Sequence, residues 1–162
     1  AMQSYAACLE KFTGKKLSEI PGTGAAGGLG FAFLWGLPNV ELKPGIDIVL
    51  EAVGLTNELK DADVVVTGEG CLDFQTAMGK VPVGVAKTAK NYNCKVIAFA
   101  GSVTEEAKKC NEKGIDAFFS ILPGVCSLDE AMDTETAQKN MRNAAEQVFR
   151  LILALLKEKC YE

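Results

Sequence analysis

The side chains of this sequence that could do chemistry are concentrated in Thr67-Gly68-Glu69-Gly70-Cys71-Leu72-Asp73-Phe74-Gln75-Thr76-Ala77-Met78-Gly79-Lys80. Glu69 and Asp73 bring two carboxylates into one turn, where they repel unless a cation or a hydrogen-bond donor sits between them. Lys80 lies near the expected start of a helix, where backbone N–H groups already favour anions. Gly68 and Gly70 let the backbone approach a ligand closely. Carboxylates for Mg²⁺, beside a lysine and a helix N-terminus for phosphate, are the parts needed for phosphoryl transfer. The stretch is not a P-loop, because Gly79-Lys80 lacks a glycine at position 74 and a Ser or Thr at position 81. A solvated loop with ordinary helix caps is the plain alternative.

A second candidate is Gly22-x-Gly24-x-x-Gly27, within a run of small residues that continues through Gly28 to Gly30. The spacing is that of a dinucleotide-binding fingerprint, which would make the protein an NAD-dependent dehydrogenase. That fingerprint needs a strand before it, and Leu17-Ser18-Glu19-Ile20-Pro21 is a poor one. Two other readings stay open. The glycines allow a tightly packed helix start, or they form a loop whose exposed N–H groups meet an anionic ligand.

The elements that must position these residues follow from periodicity. Residues 1–17 read as a helix with Tyr5, Cys8, Leu9 and Phe12 on one face, stopped by Pro21. Pro44 and Gly45 start a second helix that ends at Gly54, and Thr56 caps a short one through Lys60. From Ala62 the pattern changes. Strands are expected at 62–67, 95–100 and 117–122, the first marked by Val64-Val65-Val66, a run suited to burial on both faces. Helices are expected at 81–92, at 103–113 with Ser102-Val103-Thr104-Glu105 as a capping box, and at 134–159. Val81, Val85, Ala86 and Ala89 should point inward from the first. Ala137, Met141, Ala144, Val148, Ile152 and Leu155 share a face of the last.

This alternation predicts an α/β fold: a parallel, three-layer, Rossmann-like or flavodoxin-like sheet with a partial, mainly helical segment at the N-terminus. Residues 1–60 read as part of one domain and 61–162 as part of another. Ligands bind such sheets at the C-terminal ends of the strands, so the segment after Val66 is well placed. Three strands make a thin sheet. An exposed edge invites pairing, so a homo-oligomer or a companion chain is expected.

Composition narrows the function classes. The 162 residues are 48% apolar and 23% charged, with a net charge of −4, which is ordinary for a globular protein. Lys and Arg are scattered, so no basic face points to nucleic acid. The apolar runs Phe31–Leu37 and Leu151–Leu156 fall far short of the roughly 20 residues that span a bilayer. No secretory signal is visible, and the six cysteines form no C-x-x-C pair, so a cytoplasmic protein with reduced thiols is expected. There is no histidine. A Ser-His-Asp or Cys-His mechanism is therefore excluded from this chain alone, and acid–base work falls to carboxylates or lysine.

Thr67-Gly68-Glu69-Gly70-x-Leu72-Asp73-x-Gln75-Thr76-x-x-Gly79-Lys80-x-Pro82-x-Gly84-Val85-Ala86 closely resembles the signature stretch of the type I glycerate kinase family. Pro21-Gly22-x-Gly24-Ala25-Ala26-Gly27-Gly28-Leu29-Gly30 is similar to its second hallmark. Leu42-Lys43-Pro44-Gly45-Ile46-Asp47 and Ala100-Gly101-Ser102 fit in the same order. The resemblance implies phosphorylation of glycerate, or a related small hydroxy acid, by ATP with Mg²⁺. It implies two α/β domains, one inserted into the other, with residues 1–60 as the tail of the inserted one. It implies that Glu69, Asp73 and Lys80 are catalytic, with Glu69 and Asp73 organising Mg²⁺ or the glycerate hydroxyls. Gly22, Gly24, Gly27, Gly28, Thr67, Gly68, Gly70, Gln75, Thr76 and Gly79 would bind substrate or nucleotide.

Two departures from the family pattern stand out. Cys71 occupies a position that is often basic, which weakens the contact to phosphate or carboxylate. The full kinase is also more than twice as long, and its Asp-Ser-Phe-Lys-Gly-like and Asp-Gly-Gly-Glu-Gly-like stretches do not occur here. The chain is thus expected to be a C-terminal portion or a truncated reading frame. It would then be a catalytically incomplete module that holds ligand or pairs with another subunit.

Overall fold

Val64, Val65 and Val66 open the first strand of a parallel sheet, as their β-branched side chains favour. A computed structural model of the protein describes residues 2–158. Within them the chain divides into two compact units, one up to Ala52 and one from Val53.

The first unit is helical. Helix α1 spans Met2–Thr13, α2 Ala25–Gly36 and α3 Gly45–Ala52. Helix α1 stops earlier than its periodicity suggests. Gly14 takes a left-handed conformation with φ +71° and donates its N–H to the Glu10 carbonyl at 2.8 Å, a glycine stop of the usual kind. The Tyr5 and Phe31 rings meet edge to face at 6.3 Å, while Phe12 is exposed. Helix α2 is interrupted at its start: Ala26, Gly27 and Gly28 all have left-handed φ and ψ.

The second unit holds the sheet. It runs through α4 (Leu55–Glu58), a 3-10 turn (Leu59–Asp61), β1 (Val64–Leu72), α5 (Phe74–Ala77) and α6 (Val81–Lys90). Then come β2 (Lys95–Val103), a 3-10 helix (Glu105–Lys113), β3 (Ala117–Ser120), α7 (Leu128–Met132) and α8 (Thr134–Glu158). The strand order is β1-β2-β3, and both pairings are parallel. One sheet face packs Val96, Ala98 and Ala100 against Val83, Ala86 and Ala89 of α6 and against Ala107 and Cys110 of the 3-10 helix. The other packs Ile97 and Phe99 against Val148, with Ala144, Ala145 and Ile152 of α8 beside them. The α/β class and the three layers are therefore as expected.

Several local features differ from the sequence reading. Strand β1 continues through Leu72, so Thr67–Leu72 is strand rather than loop. Pairing with β2 explains this. The register runs from Val64 opposite Lys95 to Leu72 opposite Val103, and that tertiary pairing overrides the low strand propensity of the glycines. Ser102 and Val103 likewise belong to β2, so the expected capping box there is absent. Thr104 is the N-cap and makes no side-chain cap bond. Thr56 lies inside α4, whose N-cap is Gly54. Helix α6 buries Val83, Ala86 and Ala89 and leaves Val81 exposed, a rotation of the expected face. Full burial of Val83 contributes roughly 1.5–3 kcal/mol. On α8, Met141 and Leu155 are exposed although they share the inward stripe. Residue 159, the last of the expected long helix, lies outside the described residues.

Candidate active site

Side-chain alternation along β1 places Glu69. Val65 pairs with Val96 and Glu69 with Ala100, and neighbours in register point to the same face of a sheet. Val65, Thr67, Glu69 and Cys71 therefore face the α6 side, at the C-terminal end of the strand where parallel sheets receive ligands. The end of β1 is held firmly. Leu72 is fully buried, and its carbonyl accepts the Thr104 N–H at 2.9 Å.

Two glycines on the opposite face make the close pairing possible. A Cβ on Gly68 would come within 2.2 Å of the Phe99 carbonyl oxygen, and one on Gly101 within 2.8 Å of the Gly70 carbonyl oxygen. Neither distance is tolerable for a real side chain. Gly68 and Gly101 thus let the backbones of β1 and β2 approach. The need for a small residue at these two positions is structural.

Asp73 turns the chain from β1 into α5. It is the N-cap of that helix, accepting the Thr76 N–H at 3.0 Å, while the Asp73 N–H donates to Thr76 Oγ1 at 3.2 Å. This reciprocal pair is a capping box. The Thr76 hydroxyl also donates to Glu69 Oε1 and lies 3.3 Å from Asp73 Oδ1. The donor that two neighbouring carboxylates require is therefore Thr76. Although expected among the ligand-binding residues, Thr76 is wholly buried, and its hydroxyl engages the carboxylates.

Lys80 joins the same cluster. Its Nζ stands 3.8 Å from Asp73 Oδ1, and its backbone N–H donates to the Thr76 carbonyl at 3.3 Å. Gly79, at φ +112°, makes the turn into α6. The Thr76 N–H lowers the Asp73 carboxyl below its ordinary value, with help from the Lys80 charge and against the opposing effect of burial. The N-terminus of α6 offers few free donors. Pro82 has no N–H, and those of Val83 and Gly84 donate to the Lys80 carbonyl at 3.1 and 3.0 Å. Attraction for an anion thus rests on the Lys80 ammonium and the helix dipole.

Neighbours from the 3-10 helix were not singled out by the sequence. Cys110 is buried beneath the cluster, and burial, followed by the charges of Glu69 and Asp73, pushes its thiol up. Glu106 comes near enough to Asp73 for the two carboxylates to repel. No local sequence signal marks either one, because the parallel crossover from β2 brings them there. Gln75 is exposed, Cys71 and Thr67 are half-buried, and Phe74 on α5 and Met78 just after it stand exposed.

No group of three or more His, Cys, Asp or Glu side chains gathers as a metal cage among the described residues. That does not disqualify Mg²⁺, which commonly uses one or two protein carboxylates and takes its other ligands from phosphate and water. Glu69 and Asp73, linked through one hydroxyl and flanked by a lysine, match that donor set.

In the first unit, Gly24, Gly27, Gly28, Tyr5 and Phe31 line one cavity of about 440 Å³. Gly30 packs so closely that a Cβ there would lie 2.6 Å from the Gly22 carbonyl oxygen. Tight backbone approach therefore explains part of the glycine run. The Thr23 hydroxyl donates to the Ile20 carbonyl at 2.8 Å, so this turn is closed internally. Helix α1 and turns precede Gly22, with no strand among the described residues. The dinucleotide fingerprint lacks the strand it requires, and the dehydrogenase reading is set aside.

Comparison with known proteins bears on the family of the chain. The chain is 44% identical over 146 residues to a glycerate kinase from Bacillus subtilis, covering 89% of this chain and 38% of the relative. It is 50% identical over 128 residues to a glycerate kinase from Halalkalibacterium halodurans, covering 79% and 33%. It is 44% identical over 130 residues to a glycerate 2-kinase from Escherichia coli, covering 80% and 34%. A crystal structure from Salmonella typhimurium LT2, described as a glycerate kinase 2, superposes with a TM-score of 0.63 at 38% identity, covering 94% of this chain and 37% of that one. The chain thus spans 33–38% of the length of these relatives. The glycerate kinase family pattern matches residues 1–153. On that match, the chain belongs to the glycerate kinase family.

Proposed function

We propose that this chain contributes one wall of the active site of an ATP-dependent glycerate kinase, transferring the γ-phosphoryl group of ATP to a glycerate hydroxyl with Mg²⁺. The observation that carries the reading is the meeting of Glu69, Asp73 and Lys80 around Thr76 at the C-terminal end of β1. Phosphoryl transfer asks little covalent chemistry of the protein. It depends on positioning and on neutralising charge.

Glu69 and Asp73 are the residues that would hold Mg²⁺. Bound there, the metal would supply charge neutralisation to the phosphates. Lys80 sits beside Asp73 with its side chain 41% exposed, available to an anionic oxygen. The Asp73 carboxyl, held below its ordinary value by the Thr76 N–H, keeps its charge further into acid than a free aspartate does. Thr67, Gly70, Gln75 and Gly79, with Gly22, Gly24, Gly27 and Gly28 of the first unit, are proposed to line the substrate and nucleotide sites. Glycerate or a near relative is the proposed acceptor, and the cytoplasm the proposed location. No described helix is long and apolar enough to cross a membrane.

A second reading is ligand binding and subunit pairing without turnover. It is favoured by the position of β1, which carries Glu69 and lies at the edge of the sheet. The site is open on that side to a further strand from a companion chain or a second copy.

The test is a coupled ADP-release assay with glycerate, ATP and Mg²⁺, together with amide shift mapping. Addition of Mg²⁺ and ATP should move the amide signals of residues 67–80 ahead of the rest of the second unit. Shifts confined to surfaces away from these residues would refute the site.

A further inference from the structure

The three proposed catalytic residues belong to different elements. Glu69 is in β1, Asp73 is the cap of α5 and Lys80 is the cap of α6. One buried residue touches all three. The Thr76 hydroxyl donates to Glu69. The Thr76 N–H donates to Asp73 at 3.0 Å. The Thr76 carbonyl accepts the Lys80 N–H at 3.3 Å and that of Gly79 at 3.1 Å.

A threonine hydroxyl has one proton to donate and lone pairs to accept with. Here the Asp73 N–H already fills an accepting position. The proton can go to Glu69 or to Asp73, and the geometry favours Glu69, since Asp73 Oδ1 is the more distant at 3.3 Å. Asp73 needs it less, because it already holds the Thr76 N–H. Thr76 is fully buried, so it offers no surface to a ligand.

We propose that Thr76 is a positioning residue that fixes Glu69, Asp73 and Lys80 relative to one another, and that it acts through them rather than by touching ligand. The proposal rests on the reading of those three as phosphoryl-transfer groups. Its geometric part stands by itself. One hydroxyl proton is committed to Glu69 Oε1, and the second oxygen of that carboxylate is not engaged by Thr76.

The geometric part is tested first, by NMR on the chain as it stands. A hydroxyl proton buried against a carboxylate should exchange slowly enough to be seen and assigned to Thr76. Glu69→Gln removes the charge but keeps an acceptor, so it should move that signal far more than Asp73→Asn does. A signal that follows Asp73 instead, or a hydroxyl that exchanges too fast to observe, overturns the proposal.

The functional part is tested by calorimetric titration with Mg²⁺ and ATP. Thr76→Ser keeps the hydroxyl and should bind close to the parent chain. Thr76→Val keeps the shape but loses the proton, and should bind about tenfold more weakly or worse, in the range seen when an outer partner of a metal ligand is removed. Equal binding by Thr76→Val and the parent overturns the proposal, as does a Thr76→Ser variant as weak as Thr76→Val. Thermal melts of each variant show whether it is folded. If Thr76→Val does not fold, the Ser variant and the hydroxyl spectrum still decide. A parent chain that binds no Mg²⁺–ATP refutes the proposed function, while the hydroxyl spectrum independently decides the role of Thr76.

Discussion

Lys80 Nζ stands 3.8 Å from Asp73 Oδ1, with the two side chains 41% and 25% exposed. An ion pair this open to water is worth little to folding. Its place beside the capped carboxylate matters more for ligand than for stability. Asp73→Asn separates the two effects, since Asn is as good an N-cap as Asp but carries no charge. The melting temperature should hardly move, while Mg²⁺–ATP affinity should fall by about tenfold or more. Unchanged affinity in a calorimetric titration would remove Asp73 from the proposed metal site.

Turnover by the chain alone should be far below the roughly 1–100 s⁻¹ of kinases. Glu69 sits on the edge strand β1 and Asp73 caps the helix that follows it, so one side of the site has no wall from the described sheet. Proximity and orientation in a closed site are worth roughly 7–11 kcal/mol. An ADP-release assay on the purified monomer measures this directly, and a rate in the kinase range would contradict the open-site account.

Gly68→Ala tests the close pairing of β1 and β2. Its Cβ would meet the Phe99 carbonyl oxygen at 2.2 Å, and that oxygen is main-chain and cannot swing away. The cost should be about 1–3 kcal/mol or more. Gly24→Ala serves as a control, since nothing lies within 4 Å of its added Cβ. Urea denaturation compares the two, and equal stability would show that the strands can separate without cost.

Acid sensitivity should be traceable in part to Asp116. Burial pushes its carboxyl up, but the bonds from Lys90 and from the Val96 N–H at 2.6 Å outweigh that and leave it below its ordinary value. A depressed folded value means the contribution is fully present above the unfolded value of about 3.9. It is lost as pH falls through the folded value. Asp116→Asn should therefore cost stability at pH 7 and less at pH 3. The difference should stay under about 1 kcal/mol, since Lys90 and Asp116 are 34% and 39% exposed. Urea midpoints at the two pH values check it, and an equal loss at both would rule out the charge as the cause.

Self-association should involve β1. Its Val66 is 48% exposed on an edge strand, and such strands invite pairing. Val66→Lys places a charge on that strand and should lower the association constant. Sedimentation velocity over a concentration series reads this, and an unaltered profile would place any interface elsewhere.

The sheet was legible from Val64-Val65-Val66, Lys95–Ala100 and Ala117–Leu122 because β-branched, apolar and aromatic residues cluster there; burial on both faces holds for β2, whereas β1 is an edge strand with Val66 48% exposed, contrary to the burial its valine run suggests. The extension of β1 through Leu72 was not legible. Gly68, Glu69 and Gly70 read locally as loop, and only pairing with β2 makes them strand. The Ser102–Glu105 cap was misplaced for the same reason. The rotated inward face of α6 depends on how the helix sits against β2, which its own period does not specify.

Residue types and their spacing by themselves determined that two carboxylates and a lysine would lie close together along the chain around the end of a strand, that this chain supplies no histidine, and that the strands would form a parallel α/β sheet. Those properties are local, set by side-chain chemistry and by periods of two and 3.6 residues. Tertiary structure alone decided that Thr76 would be the donor between Glu69 and Asp73, and that Cys110 and Glu106 would lie beside them. A hydrogen bond between a strand and the helix after it, or a neighbour delivered by a crossover, depends on where the backbone is placed in space. No local pattern encodes that placement, because it follows from strand pairing and from the packing of helices onto the sheet.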